Sequence, residues 1–124
     1  MKKIFVDPYI TNFNESKVLK GPGGCDGFGV FVNDALFGLF EYYWKGSTME
    51  IGLAIHPDYV GQGLSNGFIN AGIEFGVFHY RYVKDFVQLS VDIDNIAAYK
   101  AYLKNGFVET SRNAKEILMH KYLN

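Results

Sequence analysis

Gly61-Gln62-Gly63 sits between a strand-like stretch, residues 48–55, and a helix-like one, residues 64–78. That order suits the capture of an anion. A helix N-terminus carries backbone N–H groups with no intrahelical partner, and the helix dipole adds partial positive charge there. A phosphate reaches those groups only where no side chain intervenes, and glycines at 61 and 63 remove the obstacle. A Gly-x-Gly pair alone is also an ordinary turn; the flanking strand and helix favour the phosphate reading. Metal chemistry is not indicated. His56, His79 and His120 stand far apart without ligand spacing, and Cys25 is the single cysteine, so neither a disulfide nor a thiolate metal site is expected.

The bulk properties narrow the class. A length of 124 residues suits one domain with one core. With 48% hydrophobic and 20% charged residues, the composition is that of a globular protein. A formal net charge of -1, with Lys and Arg scattered, argues against a nucleic-acid surface. No apolar run approaches a membrane span, and the opening MKKIFVDPY lacks a signal-peptide apolar region. The expectation is a reduced, metal-free cytoplasmic protein with no nucleic acid and no membrane as partner.

The positioning elements follow from alternation and turn residues. Ile4, Phe5 and Val6 suit a short strand stopped at Asp7-Pro8, and residues 11–20 suit a helical turn or two. Gly21-Pro22-Gly23-Gly24 is a loop. Residues 27–32, 35–45 and 48–55 alternate as strands around tight turns at Asn33-Asp34 and Gly46-Ser47, which makes an antiparallel meander. Apolar residues at helical spacing (Leu64, Phe68, Ile69, Ile73, Phe75, Val77) define a helix over 64–78, with small Ala71 and Gly72 allowing close approach to a sheet. Residues 86–92 form the next strand, with Leu89 and Val91 on one face and Gln88, Ser90 and Asp92 on the other. A crossover of this kind places that strand parallel to 48–55. Asp94-Asn95 caps a helix over 96–104, Asn105-Gly106 stops it, and residues 107–111 and 116–123 close a hairpin.

The segments PDYVGQGLSNGFI and NIAAYKAYLKNGF, in that order, resemble the two signatures of the GNAT superfamily of acetyl-CoA-dependent N-acetyltransferases. The first resembles its acetyl-CoA-binding motif, and Asn95, Ala98, Tyr102, Lys104, Gly106 and Phe107 fall in register with the second. The likeness covers residues 27–124. It implies a single domain, 1–124, of α+β type (a three-layer GNAT-like α/β arrangement). Its sheet would be mixed and mostly antiparallel, with six to seven strands, a parallel central pair splayed at the cofactor site and helices on both faces. Val60 departs from the usual Arg or Gln, and Ser65 replaces the final Gly or Ala. Against the family pattern the N-terminal helical region is expected to be shortened, which would leave one wall of the acceptor site open or completed by a second subunit of a homodimer.

The resemblance also implies the chemistry: a primary amine, on a small molecule or a peptide, attacks the acetyl-CoA thioester directly. Leu53, Ala54 and Ile55 would offer main-chain groups to the pantetheine arm, and an N–H among them would polarise the thioester carbonyl. Val60, Gly61, Gln62, Gly63, Leu64 and Ser65 would hold the pyrophosphate. Asn95 would cap its helix and touch the cofactor arm, and Tyr102 would protonate the departing thiolate. Glu50 is the candidate general base, with Glu41 and Asp92 as rivals. Tyr42, Tyr43 and Trp44 suit either the core or an acceptor pocket. The alternative is a non-catalytic acyl-CoA-binding regulatory module of the same fold; retention of Tyr102 favours the enzyme.

Overall fold

Strand alternation sorts the large apolar side chains onto one face of a single sheet, and both helices pack against that face. The computed structural model describes residues 5–8, 19–20, 26–32, 35–56 and 65–123. The strands are β1 (Phe5–Pro8), β2 (Leu19–Lys20), β3 (Asp26–Val32), β4 (Ala35–Lys45), β5 (Thr48–Ile55), β6 (Phe86–Asp92), β7 (Val108–Arg112) and β8 (Glu116–Tyr122). The helices are α1 (Ser65–Tyr80) and α2 (Ile96–Asn105). The sheet order is β1-β3-β4-β5-β6-β8-β7, with β2 also paired to β3. All pairings are antiparallel except β5 with β6.

The mixed sheet and its central parallel pair match the sequence-based expectation, with three differences. The sheet has eight strands rather than six or seven, because Leu19–Lys20 pairs with Gly27 and Asp26 of β3 instead of ending a helical turn. β1 continues through Asp7-Pro8 rather than stopping there; proline is tolerated because β1 is an edge strand. Both described helices lie on one face, so the helices expected on both faces are not found among the described residues. Any helix before residue 19 falls outside them.

Buried residues Phe28, Val30, Phe37, Phe40, Tyr42, Met49, Ile51, Val87, Leu89, Val91, Ile117 and Met119 form the sheet's contribution to one core. From α1 it receives Phe68, Ile69 and Ile73. Glycines at 72 and 76 let α1 lie directly on the rings below. A Cβ at Gly72 would stand 2.1 Å from Cε2 of Phe40, and one at Gly76 2.4 Å from Cε1 of Tyr42. The Tyr42 hydroxyl donates to the Gly72 carbonyl oxygen at 2.7 Å, and burial raises the phenol's pKa far above its ordinary value. α2 ends at Gly106, whose φ of 113° is open to glycine and costly for other residues.

The close approach of α1 can be tested. Gly→Ala in a helix interior ordinarily gains about 1 kcal/mol from propensity. At Gly72 the overlap with Phe40 outweighs that gain, since overpacking a core costs roughly 1–3 kcal/mol. Gly72→Ala is therefore expected to be destabilised by up to about 2 kcal/mol net, read as a lower Tm by calorimetry; an unchanged or raised Tm would contradict the packing described.

Candidate active site

The site begins where β5 and β6 part. Among the described residues, the two strands share one register pair, Glu50 with Gln88. Beyond it both strands continue, β5 to Ile55 and β6 to Asp92, with no further register pair. Antiparallel ladders on the outer sides settle which main-chain groups look into the gap. Lys45 and Thr48 flank the two-residue turn and so form a hydrogen-bonded pair. Counting by twos from there, Tyr43, Glu41, Leu39 and Phe37 hold their partners' main chain, and the His56 N–H indeed donates to the Phe37 oxygen at 2.7 Å. The alternate residue Met49 turns its N–H away from β4, to the Tyr82 hydroxyl at 3.1 Å.

The same phase carries up β5. Leu53 and Ile55 direct their N–H and C=O groups toward β6, whereas those of Ala54 face Leu39 of β4. On β6 the bonds Leu123 N–H to Asp85 oxygen (2.6 Å) and Ile93 N–H to Lys115 oxygen (2.9 Å) fix the opposite phase. Gln88, Ser90 and Asp92 therefore face β5. Asp92 gives its main-chain oxygen to the Asn95 N–H and its Oδ1 to the Asp94 N–H. Leu53, Ile55 and Ser90 are left lining the gap with main-chain donors and acceptors, the edge that an extended arm can join as a further strand.

α2 starts just past the end of β6 and is capped by Asn95, whose Oδ1 accepts from the Ala98 N–H at 3.2 Å. Ala98 and Tyr102 follow at three and seven residues, on the helix side that packs against the core. The Tyr102 ring meets Phe107 edge-on, with centroids 5.8 Å apart. Its hydroxyl has no hydrogen-bond partner among the described residues, yet it is not sealed in the interior. Burial raises the Tyr102 pKa, so the phenol stays protonated near neutral pH. Tyr99 instead donates to Glu109 at 2.9 Å, and Arg112 grips that carboxylate at 2.7 and 2.8 Å, pinning α2 to β7. These bonds pull the Glu109 carboxyl down to about 2.

Between the start of α1 and the outer side of α2 lies a cavity of about 970 Å³, lined by Ser65, Asn66, Ala97, Lys100, Ala101, Leu103 and Lys104. Its two lysines offer positive charge next to a helix N-terminus. α1 and α2 are held at this spacing by Asn105, which donates to Asn66 (2.6 Å) and Asn70 (3.0 Å). Lys121 of β8 reaches between them, donating to Asn70 and Asn105 at 3.0 and 2.7 Å, and partial burial lowers its pKa. Nothing in the alternation pattern announces that bridge, because a lysine at the end of a strand reads as a solvated charge.

The opposite face of the sheet carries the carboxylates. Glu50 is half-buried, and its Oε1 accepts from the Gln88 side-chain amide at 2.9 Å. Glu41 accepts from the Tyr43 hydroxyl at 3.0 Å, and Gly52 lies across from it on β5. His120 faces the same way beyond Gln88, stacked on Phe86 at 4.6 Å, with partial burial lowering its pKa. Of the three candidate pocket aromatics, only Tyr43 is on this face. Tyr42 is fully buried and Trp44 packs edge-on against Tyr80 on the helix side. Asp92 is exposed and engaged in its turn. Val60, Gly61, Gln62, Gly63 and Leu64 lie outside the described residues; Ser65 is the first residue of α1 and lines the cavity.

The residues present fit an acyl-coenzyme A: a strand edge for the pantetheine amides, a lysine-lined cavity at a helix start for phosphates, and a free protonated phenol. The sequence profile described as the Acetyltransferase (GNAT) family matches residues 4–107. No curated protein sequence matches. Among solved structures, a spermidine N-acetyltransferase chimera from Vibrio cholerae and hSSAT superposes with a TM-score of 0.68 at 21% identity, over 79% of this chain and 69% of that one. A dodecameric spermidine N-acetyltransferase from Vibrio cholerae gives 0.69 at 20% identity, over 79% and 64%. The Campylobacter jejuni N-acetyltransferase PseH, in complex with acetyl coenzyme A, gives 0.69 at 18%, over 81% and 69%. The chain thus spans about two thirds of the length of these structures, which share its fold. With the profile covering most of its length and a strand gap of the required form at its centre, the chain belongs to the GNAT family of acetyltransferases, for which acetyl-CoA is the acyl donor.

Proposed function

We propose that this protein transfers the acetyl group of acetyl-CoA to a primary amine by direct attack on the thioester, on a small-molecule or peptide acceptor. The observation that carries the reading is the gap between β5 and β6, edged by the main-chain groups of Leu53, Ile55 and Ser90. Acetyl-CoA supplies an acetyl group already activated as a thioester. Leu53 and Ile55 supply the edge for its amide-bearing arm, and an N–H here serves the oxygen that gains charge as the amine attacks. Ala54 is the weaker candidate of the three, since its amide faces β4. Gly61, Gln62 and Gly63, together with Val60, Leu64 and Ser65, serve the pyrophosphate, and Lys100 and Lys104 add charge beside it.

An amine attacks only as the neutral base, so its ammonium proton must leave first. We assign that task to Glu50, acting directly or through one water; its half-buried carboxylate on the face that no described helix covers supports the reading. Tyr102 holds the second proton of the reaction, for the thiolate that departs. Its burial keeps that proton in place at working pH. Asn95 spends its side-chain oxygen on the cap, which leaves its amide nitrogen for the arm. The ammonium of the acceptor also suits the negative charges of Glu41 and Glu50. The spermidine enzymes named above share the fold; the choice of amine here is a matter for a substrate panel. A free phenol at Tyr102 favours catalysis over a regulatory acyl-CoA-binding module.

Three outcomes check this reading. Calorimetry should record CoA or acetyl-CoA binding to the purified chain, and Gly63→Glu should abolish it by blocking and repelling the pyrophosphate; normal binding by that variant would displace the site. Tyr102→Phe should lower kcat on the order of tenfold to a hundredfold while leaving the KM for acetyl-CoA nearly unchanged. Glu50→Gln should lower kcat/KM for the amine about a hundredfold, with the loss shrinking as the assay pH rises and more amine is already neutral. A panel of amines with detection of the released thiol supplies the assay, and turnover unaffected by both substitutions would reject the two assignments.

A further inference from the structure

The Glu50–Gln88 pair is the last point at which β5 and β6 are joined. Both side chains project from the face that no described helix covers, Glu50 from β5 and Gln88 from the facing position of β6. The Gln88 Nε2 donates to Glu50 Oε1 at 2.9 Å. Among the described residues the second oxygen, Oε2, has no protein partner. Gln88 is itself held between two strands, facing Glu50 on one side and His120 on the other. Beyond it, His120 lies stacked on Phe86. Below it, Lys84 is drawn aside to Thr48 at 2.9 Å, so the neutral amide rather than the ammonium meets the carboxylate.

We infer that Gln88 is a positioning residue for proton removal from the acceptor: by engaging one oxygen of Glu50 it turns the other toward the incoming ammonium. The inference rests on the assignment of Glu50 as the base. A carboxylate on a strand face has two side-chain torsions before its carboxyl group, and left alone it samples orientations that point both oxygens to solvent. One directional hydrogen bond from a side chain on the neighbouring strand fixes the plane of the group without changing its charge. A glutamine fits that job better than a lysine. A lysine ammonium would compete with the substrate's own ammonium for the same carboxylate, whereas an amide donates and leaves the net charge at -1. No bond is formed or broken by Gln88; the proton passes from the ammonium nitrogen to Glu50, and the nitrogen's lone pair is freed for attack.

A mutant cycle on the full-length protein separates this from a merely structural bridge between strands. Gln88→Met keeps the length and loses the donor; Gln88→Glu keeps the shape and sets a second carboxylate against the first. Expected are a kcat for the amine lowered about tenfold by Gln88→Met and further by Gln88→Glu, as for loss of a positioning contact. CoA affinity by calorimetry should stay within twofold of the parent. In a Glu50→Gln background neither substitution should lower kcat again. Losses that multiply in that background, or a Gln88→Met variant as fast as the parent, would overturn the inference. So would a loss of CoA affinity matching the loss of rate, since that marks a collapsed gap. A parent-like rate for Glu50→Gln alone would instead remove the base assignment on which the inference stands.

Discussion

The structure depends on β5 and β6 being parallel neighbours that touch at one register pair. A regular parallel ladder over the same length would close several more main-chain hydrogen bonds, each worth on the order of 1 kcal/mol net. Leaving them open costs a few kcal/mol, a sizeable fraction of what a domain of this size has in reserve. That loss is tolerable because each strand is secured on its other side. β5 is paired to β4 along its whole length, and β6 to β8 likewise. The gap is therefore a slot between two rigid plates, and the groups along its edges point at a fixed place.

Rigidity on the helix side comes from shape rather than charge. α1 lies so close to β4 that no Cβ fits at Gly72 or Gly76, and the rings of Phe28, Phe37, Phe40, Phe68, Phe75 and Tyr42 fill the space by edge-on contacts. Such an interface resists sliding, because any shift of α1 along the strands drives backbone into ring. The start of α1 is thereby fixed relative to the upper end of β5. α2 is located separately, by the Asn95 cap at one end, Lys121 and Asn105 at the other, and the Tyr99–Glu109–Arg112 contact on its flank. Tyr102 sits on the one side of α2 that these three ties leave facing the core.

The sequence made the strands from residue 26 onward legible because their faces differ sharply. Leu89 and Val91 against Gln88 and Ser90 is an alternation with one solution, and Asn95 with Gly106 brackets α2 by cap chemistry alone. The anion loop was legible as a pattern of glycines between a strand and a helix, although residues 57–64 lie outside the described part of the structure. What the sequence could not show was which alternate amide of β5 faces the gap. That phase is set by the two-residue turn at Gly46-Ser47, which precedes them by several residues, and it separates Leu53 and Ile55 from Ala54. The Glu50–Gln88 contact was hidden for a related reason: parallel register is a property of the crossover, and the two residues stand 38 positions apart. The N-terminal stretch misled because Leu19–Lys20 has no pattern of its own and is drafted into the sheet by β3.

The two faces of the sheet thus carry different physics. On one, apolar volume and close packing hold α1 and α2 against the strands, and polar bonds such as Tyr42 to Gly72 and Lys121 to Asn70 and Asn105 locate the helices. On the other stand Glu41, Glu50, Gln88 and His120, where Gln88 donates to Glu50, Tyr43 donates to Glu41 and His120 stacks on Phe86. In the proposed reading, acyl-CoA threaded through the gap would arrive from the packed side, where its phosphates would find the start of α1 and the lysines of α2. An ammonium would arrive on the carboxylate side, where a positive charge is welcome and a phosphate is not. In the proposed reading, opposite charges at the two mouths of one slot would bring donor and acceptor together without either having to pass the other, and would make the reverse arrangement unfavourable. This division of labour follows from the sheet's alternation, because a single row of odd and even residues on β5 serves both sides.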